Sequence, residues 1–336
     1  MKKIAFLVPQ NKKCGVKDYS KMLLRHIRAA NKERFVIEEI SFIKTNNPFY
    51  YIKLAKNLSR FDLIHVQHEF GLFGLFGLNF VPFVFACPKK LIVTFHEFHV
   101  HGMLTKFKER FVMAFCAPKI FVAIVLSKET EKNAGIFISK HNIINTDFGT
   151  EIKLGCSYEK KIKPVIVHPG FVRLNKNQLF TLRLAKILSD IDFIIAGGGE
   201  GNYFEEVCAK AQKIKNVKVT GFLNEKDYAR FMKGAGLVIL PYLSVSQSAA
   251  FYDALSFGKP VLASDIGFFK DMEKEGACLV ESLNETAFAN RIMELFSSEA
   301  KRKRCLSSAS TFISSNSLTS VAARNVQIYN EAFLDV

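Results

Sequence analysis

Short runs of consecutive apolar residues alternate along this chain with amphipathic stretches, and that rhythm predicts buried parallel strands joined by helices. In the first half Ile4–Pro9, Phe35–Phe42, Leu63–Val66, Leu91–Phe95 and Phe121–Leu126 read as strands. Between them Asp18 is a candidate N-cap for a helix through Ile27, with Leu23, Leu24 and Ile27 on one face, and Tyr50–Leu58 reads as a helix. Ser127 is placed to cap a short helix after the fifth strand. In the second half the strand pattern recurs at Val165–Val172, from Phe193, at Val217–Phe222, Gly236–Pro241 and Val261–Ser264. Helical patterns stand at Asn224–Lys233, after Ser248, at Glu285–Phe296, Ala300–Phe312 and Val321–Phe333. The stretch Pro241–Ser264 is the most informative: a strand end, a Ser/Gln/Ala loop, an amphipathic turn, a stop at Phe257-Gly258-Lys259-Pro260, then a second apolar run. That is one βαβ unit. Residues 155–164 are polar and end in Pro164, so they read as a linker between two domains.

Composition changes this picture little. At 336 residues and 49% hydrophobic, the chain is long and apolar enough for two cores. Seven cysteines, odd in number and without a C-x-x-C pair, indicate neither a disulfide framework nor a zinc site, so a reduced, cytosolic chain is expected. The opening MKKIAFLVPQ has an apolar run of only Ile4–Val8, too short for a signal peptide, and reads as a buried first strand.

Charge changes it more. Residues 1–150 hold 23 Lys+Arg against 11 Asp+Glu and residues 151–336 hold 24 against 20, so most of the net +16 sits in the first half. A basic half suits an anionic partner, or is simply a solvated lysine-rich face. No helix-turn-helix, finger spacing or RNA-binding signature accompanies it, and nucleic acid is not expected. Phe70–Cys87 is uncharged and Phe-rich, but Gly71, Gly74, Gly77, Asn79 and Pro82 argue against a membrane span. A loop plus a buried helix is expected there, or a loop touching an anionic bilayer, with Lys89, Lys90, Lys106, Lys108 and Arg110 close behind it.

The candidate chemistry gathers at strand ends, where open α/β sheets bind ligands. Ser244, Ser246, Gln247, Ser248 and Ala249 lead into a helix whose uncovered N–H groups suit a phosphate, and Asp253 on that helix can accept from a ribose diol. The same pattern also fits an ordinary cap followed by a helix with one acid. Arg173 and Lys176 follow the Gly170 turn three residues apart and can share a diphosphate, or are two surface cations. Phe193–Glu200 carries a glycine run, but Asn202 stands where a dinucleotide fingerprint needs its third glycine. Asp190-Ile191-Asp192 precedes its strand, the wrong end for a metal site. His68, Glu69 and His96 lie at strand ends, too few for a metal.

These strings together resemble the retaining glycosyltransferases of family 4, whose fold is α/β, GT-B: two Rossmann-like domains with parallel sheets facing across a cleft. The resemblance is carried by Gly15-Val16-x-Asp18-Tyr19-Ser20, His68-Glu69-Phe70-Gly71, Thr94-x-His96, Gly170-x-x-Arg173-x-x-Lys176, Gly197-x-Gly199 and Asp253-Ala254-Leu255 with Gly258 and Pro260-Val261. It implies a hexose moved from a nucleoside-diphosphate sugar to a hydroxyl acceptor, which a lipid-linked or surface-polysaccharide precursor would supply. No metal or other cofactor is implied. It further implies domains at 1–154 and 165–317, with a last helix, 318–336, crossing back to the first. Implied roles are Gly15, Gly170, Gly197, Gly221, Gln247, Ser248, Ala249 and Asp253 for the donor, Asp253 on the ribose, and Arg173 and Lys176 on the leaving diphosphate. His96 would contact the transferred sugar, with His68 and Glu69 on the acceptor side. Val245 stands where the family has the first of two glutamates. That departure keeps two other readings open: a catalytically silent subunit of the same fold that binds a partner enzyme, and a sugar-nucleotide epimerase.

Overall fold

The computed structural model describes residues 1–10, 15–96, 98, 103–153, 164–245 and 247–334, the side chains of 103–106 apart. The linker proposed at 155–164, except Pro164, lies outside them, as do Glu97, His99, His101 and Ser246. The chain divides into two units, Met1–Gly149 with Asn316–Val336, and Thr150–Ser315.

Among the described residues the first unit holds a six-stranded sheet, all parallel, in the order β2-β1-β3-β4-β5-β6. The strands are β1 Lys2–Pro9, β2 Phe35–Phe42, β3 Leu63–His68, β4 Lys90–Phe95, β5 Ile120–Val125 and β6 Ile143–Asn145. Its helices up to β6 are α1 Gly15–Ala30, α2 Pro48–Asn57, α3 Phe80–Ala86, α4 Met103–Cys116 and α5 Lys128–Ala134. Asp18 lies inside the first turn of α1 rather than at its cap, because the helix already runs from Gly15. Ser127 does cap α5, its hydroxyl accepting from the Thr130 N–H. Phe70–Cys87 is two 3₁₀ turns followed by α3.

The strands are nearly continuous apolar runs because both faces are covered. Ala5, Leu7, Ile64, Val66, Val93 and Phe95 face a core built with Phe73, Phe80, Phe83, Val112 and Met113. Ile4, Phe6, Val8, Leu63 and Ile92 face the opposite core, built with Leu23, Leu24, Ile27, Val321 and Tyr329.

The second unit repeats the plan, with sheet order β12-β11-β10-β7-β8-β9. Its strands are β7 Val165–Pro169, β8 Asp192–Ala196, β9 Val217–Val219, β10 Leu237–Leu240, β11 Val261–Ser264 and β12 Leu279–Glu281. Its helices are α6 Gln178–Ile187, α7 Asn202–Ala211, α8 Glu225–Gly234, α9 Ala249–Ser256, α10 Gly267–Lys274, α11 Glu285–Ser297 and α12 Glu299–Ser315. The last helix, α13 Leu318–Leu334, belongs to the first unit and packs on α1. The sequence pattern missed α4, α6, α7, α10, β6 and β12. Each is short or has its polar face interrupted by Phe, so periodicity gives it no clear signature.

In both sheets the strand order reverses beside the first strand of the unit, between β1 and β3 and between β7 and β10. The C-terminal ends of the strands at such a reversal leave a crevice in which doubly wound sheets hold ligands.

Candidate functional site

In the second unit the reversal brings the Gly170 turn beside the segment leading into α9. Gly170 adopts φ +103°, which L side chains rarely adopt, and its N–H donates to Ala196 O at 3.0 Å. A Cβ added there would sit 2.7 Å from the Lys176 Nζ and 3.8 Å from the Ala250 Cβ in the first turn of α9. The ammonium, the glycine backbone and the helix entry therefore share one small region.

The turn is pinned from behind. Buried Gln178 accepts from the Arg173 N–H at 3.3 Å and donates from its amide to Phe171 O at 3.1 Å. Asn177 takes a left-handed conformation between the 3₁₀ turn Leu174–Lys176 and α6. Arg173 is exposed, with its guanidinium 4.8 Å from the Phe171 ring centre, and Lys176 Nζ lies 5.0 Å from the ring centre of buried Tyr242.

The glycine run explains itself by close approach. A Cβ on Gly197 would lie 2.0 Å from Gly170 O, one on Gly198 2.7 Å from the Phe222 N, and one on Gly199 2.7 Å from Val172 O. The end of β8 is thus pressed against the turn after β7. Gly221, at φ +72°, starts the turn that carries Phe222 against Phe171, ring centres 5.8 Å apart.

Ser248 caps α9: its hydroxyl accepts from the Phe251 N–H at 3.2 Å. Ala249 is exposed and Gln247 half-buried. The positive end of the helix dipole is presented by this turn. Asp253, one turn on, is engaged rather than idle: Oδ1 pairs with Lys153 Nζ at 3.1 Å and Oδ2 accepts from the Tyr228 hydroxyl at 3.3 Å. Burial first, and the Asp253 charge second, push the Tyr228 phenol well above its ordinary value, so it stays a donor. Neither Lys153 nor Tyr228 was singled out by the sequence, since each is remote from Asp253 along the chain.

Behind Lys176 lies His168, fully buried, with Nδ1 and Thr181 Oγ1 2.8 Å apart. Burial, and then the Lys176 charge, lower its pKa to about 3, so the imidazole is neutral and adds no competing positive charge below the cation.

In the first unit Gly15 is the first residue of α1. No described atom lies within 4 Å of the position its Cβ would take. The strand-end histidines separate sharply. Register pairs Gln67 with Thr94 and His68 with Phe95, so residues 65, 67, 94 and 96 share one face while His68 projects from the other.

His68 is fully buried, with the rings of Phe70, Phe73, Phe80 and Phe95 at 4.7, 5.2, 4.2 and 5.1 Å. Burial, followed by the effect of His96, lowers its pKa to about 3. The structure therefore places His68 inside the aromatic core, not on an acceptor surface. The physical reason is the two-residue alternation of β3. Glu69, the next residue, is half-buried at the mouth of the 3₁₀ turn.

His96 sits at the end of β4 with its N–H on His68 O at 3.0 Å and its ring edge-on to Tyr19 at 5.3 Å. Its Nε2 lies 2.9 Å from Gln67 Oε1. The Gln67 amide nitrogen reaches His65 Nε2 at 3.2 Å, and His65 is gripped by Thr94 Oγ1 at 2.7 Å and the Tyr329 hydroxyl at 2.6 Å. His65 is fully buried, and burial first lowers its pKa to about 3. Assigning hydrogens by the network, neutral His65 accepts from Gln67, and Gln67 accepts the His96 Nε2–H. In the neutral imidazole this tautomer puts the His96 lone pair on Nδ1. Sequence reasoning missed His65, Gln67 and Tyr329; only the alternation around His68 could have flagged the first two. Among the described residues no group of three or more His, Cys, Asp or Glu could hold a metal, and no helix is long and apolar enough to cross a membrane.

Comparison with known proteins adds a family match in the second unit. Residues 157–311 match the family model described as glycosyl transferases group 1. No curated protein sequence matches the chain. Among solved structures, Anabaena HepE in complex with UDP superposes with a TM-score of 0.79 at 16% identity, covering 98% of this chain and 100% of that one. A glycosyltransferase from Rickettsia africae gives 0.72 at 16%, covering 99% and 98%. Sucrose-phosphate synthase from Thermosynechococcus elongatus gives 0.75 at 14%, covering all of both chains. The fold is the GT-B fold.

Proposed function

From a second unit that is a glycosyl transferases group 1 domain, in a chain with the GT-B fold, we propose a retaining hexosyltransferase of the family 4 type. The donor is a nucleoside-diphosphate hexose, and a UDP sugar is the first to try, since HepE was crystallised with UDP and with UDP-glucose. The acceptor is a hydroxyl on a lipid-linked precursor at an anionic membrane surface on the cytoplasmic side. The observation that carries the reading is the single region where Lys176 Nζ, the open backbone of Gly170 and the first turn of α9 meet.

The chemical step forms a bond from the acceptor oxygen to the anomeric carbon and breaks the bond from that carbon to the diphosphate oxygen. The diphosphate leaves with the electron pair, and its leaving oxygen takes up the proton that the acceptor hydroxyl gives up. Negative charge grows on the leaving group, and donors fixed in advance around it contribute the largest share of such catalysis. Lys176, Arg173 and the N–H groups at the entry to α9 serve this role, so the reading requires no metal or cofactor. Asp253 takes the ribose diol, with Lys153 and Tyr228 holding the carboxylate in place. His96 contacts the transferred sugar, and Glu69, rather than buried His68, serves the acceptor.

The silent-subunit reading draws on Val245, which offers no carboxylate where the family has its first glutamate, and the epimerase reading would require one near that position. A thermal-shift screen of UDP, GDP, ADP and TDP, followed by donor consumption with and without a lipid extract, separates all three. A shift with UDP and consumption only with the extract support the transferase. Absence of any shift supports the silent subunit. Conversion of a UDP sugar to its epimer without acceptor supports the third.

A further inference from the structure

We propose that the outer face of α4, with the aromatic turns beside it, is a docking surface for an anionic lipid bilayer. The helix carries Phe107, Phe111 and Phe115 at four-residue spacing, and they are 77%, 48% and 47% exposed. On the opposite side of the helix Val112, Met113 and Cys116 are buried in the core of the first unit. At about 100° per residue, the three Phe side chains and Ala114 form one stripe opposite the buried arc. Lys108 flanks that stripe on one side and Arg110 on the other.

The stripe does not end with the helix. Lys108 Nζ sits 4.0 Å from the ring centre of Phe76, which is itself 76% exposed. Phe85 on α3, which packs on α4, is 55% exposed, with Lys119 6.0 Å from its ring centre. Five phenylalanines facing solvent in one neighbourhood exceed what a monomer scatters over its surface by chance.

The charges identify the occupant. Among the described residues between 75 and 119, Lys89, Arg110 and Lys119 are exposed, Lys90 and Lys108 are half-buried, and the one acid, Glu109, is buried. Aromatic rings bordered by cations are how an interfacial helix sits on an anionic membrane, with rings at the acyl boundary and cations among the headgroups. A protein interface instead depletes lysine around its apolar centre. The 14 residues of α4 are too few to span a bilayer, so it lies on the surface. Sequence reading expected a loop plus a buried helix at Phe70–Cys87, with membrane contact by that loop as the alternative. Half of that stretch is buried, and its Phe76 and Phe85 join the new surface. The lipid-linked acceptor supplies the purpose of this surface, but binding is tested with neither donor nor acceptor present, so the two readings fail separately.

The chain has no tryptophan, so Phe111→Trp gives one fluorescent reporter on the stripe. With phosphatidylcholine vesicles containing roughly one part in three phosphatidylglycerol, its emission should shift to the blue and be quenched by brominated lipid. Co-sedimentation with the same vesicles should fall about tenfold or more in the Phe107→Ser, Phe111→Ser, Phe115→Ser triple variant. It should fall severalfold, about as much as on raising salt, in Lys108→Glu, Arg110→Glu. A cooperative melting transition and a circular dichroism spectrum matching those of the parent confirm that these variants are folded. The proposal is overturned by equal binding to pure phosphatidylcholine, by binding that leaves the tryptophan unquenched, by no binding at all, or by a dimer in sedimentation that the triple substitution dissolves.

Discussion

The two units share a plan but build their sites from different material. In the second unit the pieces are backbone: a positive-φ glycine, glycines admitting a neighbouring loop, and a capped helix end, with two cations added. In the first unit they are side chains brought together by strand register from β3, β4 and α13. Backbone sites leave a mark in sequence, because glycine, serine and their spacing are dictated locally. Sites made by register do not, because each member is an ordinary polar residue until its neighbours on other strands are known.

The largest expected effect lies on the backbone-built side. Arg173→Ala and Lys176→Ala should each lower kcat by roughly 10²–10³, as loss of one transition-state donor does. Neither should move the melting temperature much, since Arg173 is exposed and the turn is held by Gln178. Steady-state kinetics with the donor found in the nucleotide screen, beside calorimetry, checks this. Near-full turnover in both variants would remove the leaving-group assignment and with it the contrast between the units.

Those positions show how far the sequence could be read. Gly170, Arg173, Lys176 and the Ser248 cap stand within two short strings, which strand-end placement marked as candidates and only the family resemblance assigned to a donor. The partners of Asp253 were not legible, because Lys153 lies a hundred residues away and nothing local marks it. His68 was misplaced for an instructive reason. It adjoins Glu69 in a recognisable string, but one step along a strand reverses the face, and a neutral imidazole packs among phenylalanines well enough to stay there. The α4 stripe was not read from the sequence, because only exposure distinguishes a docking face from a core face.

Acid should divide the units next. His65 and His68 in the first unit and His168 in the second are neutral when folded, with pKa values lowered to about 3 chiefly by burial. On unfolding, each regains an ordinary pKa near 6.5. The unfolded state then binds more protons below that value, so stability is complete above it and falls as pH drops towards 3. Each group contributes about 1.4 kcal/mol per pH unit in that window. The first unit should therefore lose about twice as much as the second between pH 6 and pH 4. Hydrogen exchange on the whole chain, read at β3 and β4 against β7 and β8, measures both losses together. His68→Phe, which suits the surrounding rings, should remove one share of the loss in the first unit. Equal acid sensitivity of the two sheets would show that burial of the pair in β3 is not what the structure depicts.

The smallest effect tests whether register-built chemistry matters at all. Gln67 is a positioning residue: its carbonyl holds the His96 Nε2–H while its amide leans on His65, which Tyr329 and Thr94 fix in turn. Gln67→Leu removes one hydrogen bond to the imidazole, so kcat should fall about tenfold with KM for the donor little changed. Nitrogen-15 NMR of His96 should then report a mixture of tautomers where the parent shows Nε2–H alone. Gln67→Glu keeps the acceptor but adds a charge that favours imidazolium, so turnover should recover only on the alkaline side of the new His96 titration. Tyr329→Phe acts two links away and should cost only a few-fold in turnover. A merely structural Gln67 would lower stability in all three variants and leave both the tautomer and the pH profile of turnover where they were.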